Sequence, residues 1–139
     1  MRARPLRAVA RLVRALVGRA EAPPEALVAR WPELGEVRWR RGGLPLRIGG
    51  WCLARATVSG ITFGRTVFLH DRVGWPPALL LHELAHVRQF ARDRAFPLAY
   101  AWESLRRGYS ANRFEVEADG FAAQVLAERP VPPRSAEPA

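Results

Sequence analysis

A chain of 139 residues with 49 % hydrophobic content has the size and composition of one folded domain with its own core. The single cysteine, Cys52, excludes an internal disulfide, and no run approaches 18 apolar residues, which excludes a membrane-spanning helix. The formal charge is +9 and all 22 basic side chains are Arg, a balance that permits non-specific attraction to nucleic acid or anionic lipid. Total avoidance of Lys beside many Ala, Pro and Gly reads as coding bias for most of these Arg.

Residues 5–18 have the pattern of an amphipathic helix. Leu6, Val9, Leu12, Val13, Leu16 and Val17 fall on one side and Arg4, Arg7, Arg11 and Arg14 on the other. Arg11 and Arg14 interrupt any secretory apolar region, so a cytoplasmic location is expected. The apolar side is expected to pack on its own domain, with peripheral contact to an anionic membrane as the alternative. Residues 1–22 thus form a basic N-terminal helix within a single domain spanning 1–129, and residues 130–139 read as a disordered tail.

Gly18 and Glu21-Ala22-Pro23-Pro24 end the first helix, and a short helix follows from Pro24 to Trp31, closed by Pro32. The run Arg38-Trp39-Arg40-Arg41-Gly42-Gly43 is a strand or loop with solvated Arg. The alternative is an Arg-rich surface that grips phosphates and stacks on bases. Residues 52–69 alternate β-branched and aromatic residues with Gly, which predicts short antiparallel strands at Ala56–Gly60, Ile61–Phe63 and Arg65–Leu69. His70-Asp71-Arg72-Val73-Gly74-Trp75 is a loop. Pro76-Pro77 starts a helix that runs to about Asp93 or Arg94. A further helix over 97–107 carries Leu98, Ala101, Trp102 and Leu105 at helical spacing, predicted to face the core, and Gly108 ends it. The last helix, 113–128, turns Phe114, Ala118, Phe121, Ala122 and Val125 inward.

Chemistry concentrates in Leu79-Leu80-Leu81-His82-Glu83-Leu84-Ala85-His86-Val87-Arg88-Gln89. Two of the chain's three His lie here, four residues apart, so both imidazoles leave one helix face about one turn apart. That spacing lets two nitrogens share one zinc ion. Glu83, about 100° further round the helix, sits beside the metal, where it can take a proton from water. Placing this set inside an apolar helix is costly unless a metal or hydrogen bonds satisfy it.

A third ligand is required. The best oxygen donors lie in Asn112-Arg113-Phe114-Glu115-Val116-Glu117-Ala118-Asp119. Glu115 and Asp119 share a helix face, which favours Glu115 on the metal and Asp119 holding the outer N–H of a ligand His. Glu117, about 200° away, is the alternative ligand. The competing account makes Asn112 an N-cap and Glu115 its capping-box partner.

His82-Glu83-Leu84-Ala85-His86 followed by Glu115-x-x-x-Asp119 resembles the gluzincin metallopeptidases. Residues 57–125 as a whole resemble small bacterial metallopeptidase domains of the DUF4157-like type. The resemblance implies an α+β, zincin-like fold. Its active-site helix packs on a small antiparallel sheet, and further helices carry the third ligand. It implies one zinc per chain on His82, His86 and Glu115, Glu83 as general base, Asp119 supporting a ligand His, and a protein or peptide substrate laid along an edge strand. The gluzincin pattern also carries an oxyanion-steadying residue beyond the third ligand. Here that region offers only Arg129 and Arg134, which leaves the upstream Tyr109, His70 or Tyr100 to stand in. Two other readings stay open: a non-catalytic zinc-binding or interaction domain, and a basic module for nucleic acid or anionic membranes.

Overall fold

The structure is a computed structural model that describes residues 3–52 and 59–132. The described residues form six helices and one four-stranded sheet, a mixed α+β arrangement. In chain order these are α1 (Ala3–Val17), β1 (Arg19–Ala20), α2 (Glu25–Arg30), a 3-10 turn (Pro32–Glu36), β2 (Arg38–Arg41), α3 (Leu44–Cys52), β3 (Gly60–Phe63), β4 (Thr66–Leu69), α4 (Pro77–Arg92), α5 (Phe96–Arg107) and α6 (Arg113–Glu128). Part of the expected strand Ala56–Gly60 and most of the expected tail lie outside the described residues, as does the side chain of Cys52.

The strand order is β1-β2-β4-β3. β3 and β4 form the expected antiparallel hairpin, Phe63 opposite Thr66, but β2 runs parallel to β4, Trp39 opposite Val67. The sheet is therefore mixed, which corrects the antiparallel expectation. The end of β2 and the start of β3 both lie at the Leu69 end of β4, so β3, running antiparallel, carries the chain back to the end where β4 starts; parallel neighbours require such a return, which a tight turn cannot supply. α3 itself had no clear signal, because Gly49-Gly50 lowers its helix propensity.

β4 is the central strand, with Val67, Phe68 and Leu69 all buried, so it reads as a continuous apolar run. One core joins Trp31, Leu34, Trp39, Val67 and Leu69 to Leu80, Leu81, Leu84 and Val87 of α4 and to Ala122 and Val125 of α6. α4 thus packs on both the sheet and α6, which gives its polar motif fixed neighbours.

The Arg38–Gly43 run is largely structural. Trp39 is buried and its indole N–H donates to the Leu34 carbonyl at 2.8 Å. The buried Arg41 donates to the carbonyls of His70, Val73 and Gly74, pairs with Glu21 at 3.4 Å, and lies over the Trp75 ring. Neither side chain is available to stack on bases.

The expected core stripe of α5 is overturned. Leu98, Trp102 and Leu105 are 76 %, 61 % and 83 % exposed, and Ala101 is exposed too. Phe96 and Glu103 are buried instead, with Tyr100 half-buried on the same side. Phe96, Tyr100 and Glu103 form a second stripe about 200° from the first. Its aromatic rings find partners on α4 and α6, Phe90, His86 and Phe114, and so it wins.

Candidate metal centre

α4 places His82 and His86 one turn apart with ring centroids 4.7 Å apart and planes at 81°. α6 brings Glu115 to them. Glu115 Oε2 is 3.2 Å from His82 Nε2, Glu115 Oε1 is 3.3 Å from His86 Nε2, and the two Nε2 atoms are 3.0 Å apart. These three residues form a group that could hold a metal ion.

The outer ring nitrogens explain why the inner ones converge. His82 Nδ1 donates to Asp119 Oδ1 at 2.8 Å. His86 Nδ1 donates to Gln89 Oε1 at 2.7 Å, while the Gln89 amide nitrogen donates to the Phe114 carbonyl at 3.1 Å. With its NH2 committed, Gln89 offers oxygen to the ring, so both His carry their proton on Nδ1 and turn the Nε2 lone pair inward. Two such lone pairs and a carboxylate repel one another unless a proton or cation lies among them. Four-coordinate donors about 2.0–2.2 Å from a metal stand about 3.3–3.6 Å apart, close to the separations here. The donor set and its outer partners fit such an ion.

Electrostatics agree. Burial opposes charge on His82, but the Glu115 hydrogen bond and the charges of Glu83 and Glu115 outweigh it and lift the ring to about 9. His86 is raised against burial by the same carboxylates. Glu115 is lowered despite burial, through His82, His86 and Tyr100. The carboxylates thus favour a second proton on the rings, and a bound cation would take the place of that proton beside an ionised Glu115.

Glu83 lies deep beside them. Burial raises its carboxyl, and the nearby His rings oppose that. Thr62 of β3 donates to Glu83 Oε2 at 2.6 Å. Gly60 on the same strand makes room, since a Cβ there would stand 2.7 Å from Glu83 Oε1.

The sequence-predicted residues separate cleanly. His82, Glu83, His86, Glu115 and Asp119 come together. The alternative ligand Glu117 turns away and pairs with Arg92 at 2.5 Å, because its position on α6 faces the C-terminal end of α4 rather than the His pair. Asn112 is the expected N-cap, accepting from the Phe114 N–H at 2.9 Å. Its own N–H goes to the Tyr109 carbonyl, so Glu115 is free of capping-box duty. His70 sits in the loop after β4 with Nδ1 accepting from the Arg72 N–H at 3.1 Å. Of the tyrosines, Tyr100 reaches the cluster, its phenol 2.5 Å from Glu115 Oε1. Tyr109 helps to raise the Tyr100 hydroxyl.

Gln89 and Thr62 carry roles that sequence reasoning did not assign. Gln89 had a readable signal, three residues after His86 on one face. Thr62 had none, being brought in by the sheet. A cleft of about 270 Å³ lined by Phe96, Arg113, Phe114 and Glu117 borders Gln89 but touches none of the three donors, so it is a neighbour of the cluster and not its mouth. No family model matches the chain, and no curated protein or solved structure is significantly similar to it.

Proposed function

We propose that this chain is a zinc-dependent hydrolase of the peptidase type, with zinc held by His82, His86 and Glu115. One observation carries the reading. The Nδ1 atoms of both His are held from outside by Asp119 and Gln89, leaving two Nε2 atoms and a carboxylate converging with Glu83 beside them. Two nitrogens and one carboxylate oxygen make a three-ligand set that leaves a fourth position for water or substrate. When bound, zinc supplies Lewis acidity, polarising a carbonyl and acidifying water.

The chain's own residues supply the rest. Glu83 takes the proton of the attacking water and delivers it to the leaving amine. Burial raises its carboxyl above the ordinary value of 4.5, the direction that favours taking up a proton. Thr62 steadies one carboxylate oxygen and ties the base to β3. Among the described residues β3 is an edge strand, paired only with β4, so an extended peptide can add to it by main-chain hydrogen bonds.

A second reading, a non-catalytic zinc-binding domain, rests on Tyr100. The phenol that reaches the cluster is committed to Glu115 and is not free to steady an oxyanion. Elemental analysis tests the shared premise: about one zinc per chain, lost in His82→Ala and kept in Glu117→Gln. Peptide-library hydrolysis then separates the two. The peptidase reading expects turnover that Glu83→Gln lowers by about 10²–10⁴-fold while zinc stays bound. Zinc-loaded wild type that cleaves nothing supports the second reading.

A further inference from the structure

We propose that α1 is a membrane-surface helix that lays its apolar stripe into an anionic lipid bilayer. Val9, Leu12, Val13, Leu16 and Val17 occupy one side of the helix, and all are exposed, Leu12 by 60 %. Every residue from Ala8 to Val17 is exposed, so over these described residues the stripe is not buried on its own domain as expected. Arg11 and Arg14 project from the opposite side. This is the layout of a helix lying in the plane of a membrane interface.

The helix is uncovered but not loose. Gly18 ends it at φ +68°, with its N–H donating to the Arg14 carbonyl at 2.9 Å. A Cβ on Gly18 would stand 2.4 Å from the Arg41 carbonyl oxygen, so only glycine lets the two backbones meet. Arg40 of β2 donates to the Val17 and Gly18 carbonyls, capping the negative end of the helix. One end is therefore fixed to the sheet while the stripe faces solvent. α3 lies against α1, and its Leu44 and Ile48 are exposed as well.

Charge selects the occupant. Residues 1–20 contain six Arg and no acidic residue. A second copy of this chain would cover the stripe but, lying on the side opposite Arg11 and Arg14, would offer those Arg no counter-charge. An anionic bilayer accepts both the apolar stripe and the positive charge.

The test is co-sedimentation of the full chain with vesicles of phosphatidylglycerol and phosphatidylcholine, and with phosphatidylcholine alone, at low and high salt. Expected are binding to the anionic vesicles that high salt weakens, a loss of about tenfold or more for Leu12→Gln/Leu16→Gln, and a loss of about fivefold per Arg for Arg11→Gln and Arg14→Gln. These positions are exposed, so circular dichroism and melting temperature should match wild type. The proposal is overturned if wild type stays in the supernatant, or if the double Leu variant sediments as well as wild type. It is equally overturned if the chain ignores vesicles and instead binds duplex DNA through Arg alone, or forms a dimer in ultracentrifugation that the Leu substitutions abolish.

Discussion

The phenol of Tyr100 donates a 2.5 Å hydrogen bond to Glu115 Oε1, the same oxygen that lies 3.3 Å from His86 Nε2. α5 thereby fixes the orientation of a carboxylate carried by α6 toward two imidazoles carried by α4. Tyr100 also meets the His86 ring edge-on at 6.0 Å. Outer partners of this kind commonly contribute about 10–100-fold in metal affinity. Tyr100→Phe keeps the ring and removes the donor, so zinc affinity measured against a chromophoric chelator is expected to fall within that range. Unchanged affinity would mean that Glu115 needs no steering.

Asp119 and Glu117 are two residues apart on α6 and make opposite expectations. Asp119→Ala releases His82 Nδ1 and should weaken zinc by about 10–100-fold. Glu117→Gln breaks only an exposed pair with Arg92, worth roughly 0–1 kcal/mol, and should leave zinc affinity as it was. Equal losses in the two variants would refute this division of labour.

Gly60 is a steric gauge of Glu83. A Cβ there meets Glu83 Oε1 at 2.7 Å and Leu69 Cδ2 at 3.1 Å. Gly60→Ala must displace the Glu83 carboxylate or the strand, so on the proposed peptidase function it should reduce hydrolysis by about tenfold or more without lowering the metal content. Retained turnover would show that Glu83 has freedom it lacks in the structure.

The metal-free cluster sets a pH dependence whose sign can be worked out. His82 rises from 6.5 to about 9, and His86 rises too. Their contribution to stability is complete below pH 6.5 and is lost as pH climbs through the folded value. Glu115 is lowered from 4.5, so its contribution is present above pH 4.5 and is lost as pH falls further. Chelator-treated protein should therefore melt highest between about pH 4.5 and 6.5. A zinc ion bound as proposed would displace the protons that the rings carry, so loaded protein should gain most from the metal at higher pH. A metal-free melting temperature that climbs steadily into the alkaline range would count against the cluster.

The orientation of α5 is open to a stability test. Phe96 is buried among Phe90, Tyr100 and Phe114, and Phe96→Ala should cost about 3–5 kcal/mol in denaturant unfolding. Leu98→Ala and Leu105→Ala lie on the exposed side and should stay within about 0.5 kcal/mol of wild type.

Local periodicity made much of this molecule legible. The i, i+4 spacing put His82 and His86 on one face whatever the rest of the chain did, and the same rule placed Asp119 with Glu115. Apolar spacing in α6 named Ala118, Ala122 and Val125, all buried. Pro76-Pro77, Asn112 and Gly108 marked helix ends because each acts on the backbone next to it.

What failed depended on partners far along the chain. α5 holds two stripes about 200° apart, and nothing local ranks them. The more hydrophobic one, Leu98, Trp102 and Leu105, lost to Phe96, Tyr100 and Glu103 because the latter met α4 and α6. The parallel pairing of β2 with β4 followed from β3 running back between them along the chain, and Thr62 reached Glu83 only through that sheet. α1 shows the same limit, since its amphipathic pattern promised a buried face and the fold left that face in solvent. The sequence by itself determined which donors could share a helix face, because that depends on 3.6 residues per turn. Tertiary structure alone decided which faces meet, because each helix presents several faces and only packing between distant segments chooses among them.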